Sequence, residues 1–146
     1  MRESEAIILR FLQLLADVRK TFLDVELFAE RSEALRSVSV LVNPFKANPS
    51  EYANGGVTIS MELDAELTNP LDADRKAIGM SLLLRHSREV WIAEAEVGWI
   101  GQNIGWNQFD EREVQSDTIE EMIQKVPSLV EWMDGRFKEE VTSLTQ

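Results

Sequence analysis

Between Val57 and Leu67 apolar and polar residues alternate without a break. Val57, Ile59, Met61, Leu63, Ala65 and Leu67 fall on one side; Thr58, Ser60, Glu62, Asp64 and Glu66 fall on the other. A period of two sustained this long predicts a strand with one wet face, the mark of an antiparallel sheet. Glu89–Ile100 repeats the pattern, with Trp91, Ala93, Ala95, Val97 and Trp99 on one face and Val90, Ile92, Glu94, Glu96, Gly98 and Ile100 on the other. Two tryptophans argue that the first face is buried, and the alanines between them leave a trough in which a helix can lie. Ser37–Asn43 and Ala77–Arg85 alternate over shorter spans, through Val38, Val40 and Val42 and through Ile78, Met80, Leu82 and Leu84. Pro44, Pro49 and Gly55-Gly56 mark a loop after the first of these. His86–Arg88 is so short a link that the third and fourth strands are expected to form a hairpin.

The two ends of the chain carry helical spacing instead. Ile7, Ile8, Phe11, Leu12, Leu15 and Val18 form one stripe, continued by Phe22, Val25, Phe28 and Ala29, with Ser4 as the expected N-cap. Thr118 with Glu121 fits a capping box ahead of Ile119, Met122, Ile123 and Val126. Pro127 is expected to end or kink that helix, and Leu129, Val130, Met133, Phe137, Val141 and Leu144 carry a further one. Gly101–Phe109 is rich in Gly and Asn and reads as an irregular loop. The pattern therefore predicts a single α+β domain over 1–146. Its core would be a four-stranded antiparallel meander, with the N-terminal and C-terminal helices packed on its apolar face.

Charge narrows the function classes. The chain has 15 basic residues, 26 acidic residues and a net charge of −11. Nucleic acids and anionic membranes are excluded as partners, because both demand cationic surface. A basic protein partner is the complement of this charge, and an acidic face would steer it in. The chain has no cysteine, which removes disulfides and thiolate chemistry and points to a reducing, cytoplasmic setting. The apolar N-terminal stretch is studded with charge and reads as a helix, not as a signal peptide.

Candidate chemistry is sparse. No cofactor motif and no metal-ligand spacing occurs, and His86 is the one histidine, with no carboxylate beside it in sequence. No catalytic residues are assigned. The candidate binding residues are Glu62, Asp64, Glu66, Glu94 and Glu96, which share the wet face if the second and fourth strands lie close together. Trp106 and Phe109, in the expected loop, would anchor one edge of that surface. Trp132 lies off the C-terminal stripe and marks a second partner or homodimer face.

In architecture and charge, though not in any residue signature, the chain resembles the small acidic immunity proteins that neutralise bacterial toxins. It is also similar to acidic secretion chaperones, which hold a segment of an effector. The chaperone pattern places a helix between strands three and four, where this chain has three residues. The expectation is a small acidic protein-binding module of the immunity type, with a basic toxin or effector as partner. A chaperone-like protein is the alternative, and an enzyme comes third.

Overall fold

The computed structural model describes residues 2–43, 57–87, 89–103 and 105–145. The expected loop through Pro44, Pro49 and Gly55-Gly56, and Arg88, lie outside the described residues. The chain runs α1 (Glu3–Arg31), β1 (Leu35–Asn43), β2 (Val57–Leu67), β3 (Ala77–Ser87), β4 (Val90–Ile100), β5 (Trp106–Ser116) and α2 (Ile119–Ser143). The strands form one antiparallel sheet in the order β1-β2-β3-β4-β5. The meander is as expected, but it has five strands, not four.

The fifth strand begins inside the stretch expected to be a loop, Gly101–Phe109, and runs on to Ser116. Its apolar residues are few, and a bulge opposite Val97 and Gly98 breaks its period, since Gln108 pairs with Gly98 and Asp110 with Val97. Phe109 is the extra residue. It turns to the helix side, where its ring lies 5.2 Å from that of Trp99. Arg136 of α2 then sits 4.9 Å above Phe109 and donates to Asp110 at 3.0 Å. Arg112 likewise lies over Trp132 at 4.8 Å. Thus β5 joins α2 through charge and ring contacts that a hydrophobic pattern does not register.

Both helices cover one face of the sheet. The core there includes Met61, Leu63, Ile78, Met80, Leu82, Ala93, Ala95, Val97 and Trp99 from the strands. Against them lie Phe22, Val25 and Ala29 of α1 and Met122, Val126, Met133 and Phe137 of α2. Trp91 and Ile59, which lie on the faces expected to be buried, are half-buried. Trp91 stacks on His86 with ring centres 4.4 Å apart and meets Phe11 at 6.4 Å. His86 is therefore not a turn residue but the register partner of Trp91 within the sheet. The hairpin closes between Ser87 and Val90, and Glu89 takes a left-handed φ of 67° in it.

Two details of the helices depart from expectation. α1 begins at Glu3 with Arg2 in the N-cap position, so Ser4 lies inside the helix. α2 is one helix with Pro127 inside it, not two, and Thr118 caps it by accepting from the Glu121 amide at 3.2 Å. Pro127 removes one backbone donor, a local cost of about 3 kcal/mol. The stripe Met122, Val126, Leu129, Val130, Met133, Phe137 and Val141 is buried on both sides of it. Burial of that many apolar side chains, each worth about 1.5–3 kcal/mol, outweighs the lost bond.

Candidate functional site

The sheet face away from the helices carries the acidic side chains. Its register aligns residues across strands into rows. One row runs Glu62, Ser81, Glu96, Glu111; the next runs Asp64, Gly79, Gly98, Gln108; a third runs Ser60, Leu83, Glu94, Glu113. Neighbouring strands are about 4.8 Å apart. Glu94 and Glu113, and Glu96 and Glu111, are therefore direct cross-strand pairs of like charge. Glu111 and Glu113 lie on β5 beyond the expected loop, in a stretch with no apolar alternation to predict a strand. The signal for them was the alternation of Glu111, Glu113 and Gln115 alone.

Of the expected site residues, Glu62, Asp64, Glu94 and Glu96 share this face. Glu66 shares the face but is tied to Arg36 at 3.2 Å near the sheet edge. Trp106 also lies on this face. Phe109 does not: the bulge sends it to the helix side, so it cannot anchor a ligand beside Trp106.

Glu62, Asp64, Ser81, Glu96, Ile100 and Trp106 line a cleft of about 350 Å³. Two glycines make room for it. Gly79 and Gly98 are register partners, and the Trp106 ring passes 3.0 Å from where a β-carbon on either would stand. The Asp64 carboxyl occupies the same space above Gly79, at 2.6 Å. The indole therefore lies over bare backbone, and its Nε1 donates to Glu96 Oε2 at 3.1 Å. An aromatic face beside carboxylates is an arrangement that receives a cationic side chain. A wider groove of about 710 Å³ runs between the C-terminal ends of the two helices, past Leu27, Phe28 and Val141. Its Asp24, Arg31 and Glu33 are mixed in sign, so it offers no charge to match.

Burial, with neighbouring carboxylates adding to it, leaves a titration signature. Burial pushes the Asp64 carboxyl above its usual range, and Glu62 adds to the shift. Burial also raises Glu94; Arg85, 3.0 Å away, opposes this, while Glu113, Glu96 and Glu111 add to it. A carboxyl raised in the folded state binds its proton more tightly there than in the unfolded chain. Its stabilising contribution is complete below the ordinary carboxylate range and disappears as pH rises through the raised folded value. The unfolding midpoint in urea is therefore expected to rise as pH drops from neutral toward that folded value. The variant Asp64→Asn/Glu94→Gln flattens this rise. A wild-type midpoint that falls over the same interval would contradict the raised titration of these two carboxyls.

Among the described residues, no three His, Asp or Glu side chains are grouped so as to hold a metal ion. No helix among them is long and apolar enough to cross a membrane. No protein-family model matches the chain, and no curated protein or solved structure matches it either.

Proposed function

We propose that the protein is a binding module that takes a basic protein surface on its open sheet face. The observation that carries this reading is the cleft in which Trp106, laid over Gly79 and Gly98, stands beside Glu62, Asp64 and Glu96. A lysine or arginine from the partner enters that cleft, stacks on the indole and meets the carboxylates. The surrounding Glu94, Glu111 and Glu113 supply long-range attraction, and the net charge of −11 reinforces it. Relief of the repulsion among these carboxylates favours the complex further, because a bound cation lowers what the folded sheet must otherwise tolerate.

Such a module acts by occupying its partner, in the way of an immunity-type inhibitor of a basic toxin or effector in the cytoplasm. The secretion-chaperone alternative gains nothing from the third and fourth strands, which meet in a tight hairpin where that pattern has a helix. No residue is assigned a catalytic role.

Trp106 provides the test. Charge mainly sets the rate of encounter, whereas a desolvated aromatic contact sets the lifetime of a complex. With the basic partner recovered by affinity capture, Trp106→Ala is expected to speed dissociation by roughly 10-fold or more, the effect of losing about 1.4 kcal/mol or more at a hot spot. Association is expected to stay near the wild-type rate. Unchanged dissociation in a folded Trp106→Ala protein would remove the cleft from the interface.

A further inference from the structure

We infer that the basic partner contributes an extended segment, which adds to the outer edge of β5 as a sixth, antiparallel strand. This rests on the reading of the open sheet face as the surface for a basic partner, and it states the form that partner takes. The sheet ends at β5, and among the described residues no strand pairs with its outer side. An edge strand presents a row of backbone donors and acceptors on which another chain can pair.

Two hydrogen bonds set the phase of that row. The Glu111 amide donates to Asp110 Oδ1 at 3.0 Å, and Lys125 Nζ donates to the Gln115 carbonyl at 2.9 Å. In an antiparallel strand the amide and carbonyl of one residue point to one neighbour, and those of the next residue point to the other. Glu111 and Gln115 therefore turn their backbone groups away from β4, and so does Glu113 between them. Arg112 and Val114 turn theirs toward their register partners Ala95 and Ala93. Glu113 is thus the centre of the docking edge, with its amide and carbonyl both directed outward. The Glu111 carbonyl and the Gln115 amide lie in the same row on either side of it.

The residues that aim their backbone at the edge also carry their side chains on the open face. A partner residue paired with Glu113 places its own side chain on that face, beside the Glu113 carboxylate. The partner residue two further along meets Glu111. In both rows like charges already stand side by side, Glu94 with Glu113 and Glu96 with Glu111. Lysine or arginine at these two partner positions continues each row with the opposite charge. The row through Glu111 runs back across Glu96 to Glu62 in the Trp106 cleft, so edge and cleft belong to one surface.

The intervening partner residues point to the helix side, where a groove of about 220 Å³ follows the edge. Arg112, Glu113 and Val114 of β5 line it together with Lys125, Ser128 and Leu129 of α2. An apolar side chain opposite Val114 fits against Val114 and Leu129. A small one is needed opposite Arg112, which lies over the Trp132 ring. From its N-terminal end the segment therefore reads apolar, basic, small, basic.

Charge selects this occupant over a second copy. Antiparallel pairing of β5 with another β5, centred on Arg112 or on Glu113, sets glutamate against glutamate on the open face. The opposite edge of the sheet offers no match. β1 holds no acidic residue, and its pairing is irregular between Arg36 and Ser39.

The probe is the peptide acetyl-Thr-Thr-Val-Lys-Ala-Lys-Thr-amide, titrated into the full-length wild-type protein. Every change is made in the peptide, so the folding of the protein is not at issue. N-methylation of the first lysine removes the donor to the Glu113 carbonyl and is expected to weaken binding by roughly 10-fold or more. N-methylation of the alanine, whose amide faces away from β5, is expected to leave the affinity nearly unchanged. Hydrogen exchange of the Glu113 and Gln115 amides is expected to slow on binding, with Arg112 and Val114 unaffected. Equal affinities of the two N-methyl peptides, or no slowing at Glu113, would overturn strand addition and leave charge attraction to the open face standing. No binding of the parent peptide up to about 1 mM would overturn strand addition too, while a folded basic surface could still occupy the Trp106 cleft. Equal binding of a peptide with both lysines changed to glutamate would overturn both readings.

Discussion

Phe137→Ala is expected to lower the stability of the protein by about 3–5 kcal/mol. Phe137 is fully buried and, with Phe22 of α1, is among the largest side chains with no exposure. It sits on α2, the element that packs on β4, β5 and α1 together. A cavity there loosens all three contacts at once, and the neighbouring Arg136 and Phe109 tie the same turn of α2 to β5. The loss is a large share of a typical total of about 5–15 kcal/mol. Urea unfolding is the measurement. A midpoint shift worth less than about 1 kcal/mol would show that α2 is not the keystone of the packed side. Trp91→Ala, by contrast, is expected to cost less than Phe137→Ala. Its ring is half-buried and supported by His86 and Phe11 at the rim.

Where one face of an element is wholly wet, the sequence was a sufficient guide. β2 and β4 alternate cleanly, and their acidic positions land on one face, as read. The bounds of β2 agree to the residue. α1 was harder, because it is apolar on two sides. Ile8 and Leu12 belong to the exposed stripe, while Leu14, outside the expected stripe, is 5% exposed in the core. Helical spacing identifies the helix in such a case but not the face that turns inward. β5 does not show in the hydrophobic pattern because its inward residues include Asp110 and Arg112, which meet Arg136 through an ion pair and the Trp132 ring through a cation–π contact on α2. A bulge then shifted its period. Losing β5 also concealed Glu111 and Glu113 and, with them, the density of charge on the open face. The cleft itself rests on Gly79 and Gly98, whose importance lies in what they omit. No spacing rule draws attention to two glycines on different strands until the register places them side by side.

The open face and its cleft are where the account of function stands. Reversing Glu62, Glu96, Glu111 and Glu113 to Lys changes the charge of that face by eight units. It leaves the more buried Asp64 and Glu94 in place. Electrostatic steering raises association rates by about 10–10³-fold and fades with ionic strength. The most direct measurement is stopped-flow association with the captured basic partner at low and high salt. Wild-type protein is expected to associate fast at low salt and markedly slower at high salt. The four-fold variant is expected to associate at least about 10-fold more slowly at low salt, with its salt dependence flattened or inverted. An acidic partner, or an association rate that the four reversals leave unchanged, would contradict the account and reduce the open face to solvated surface.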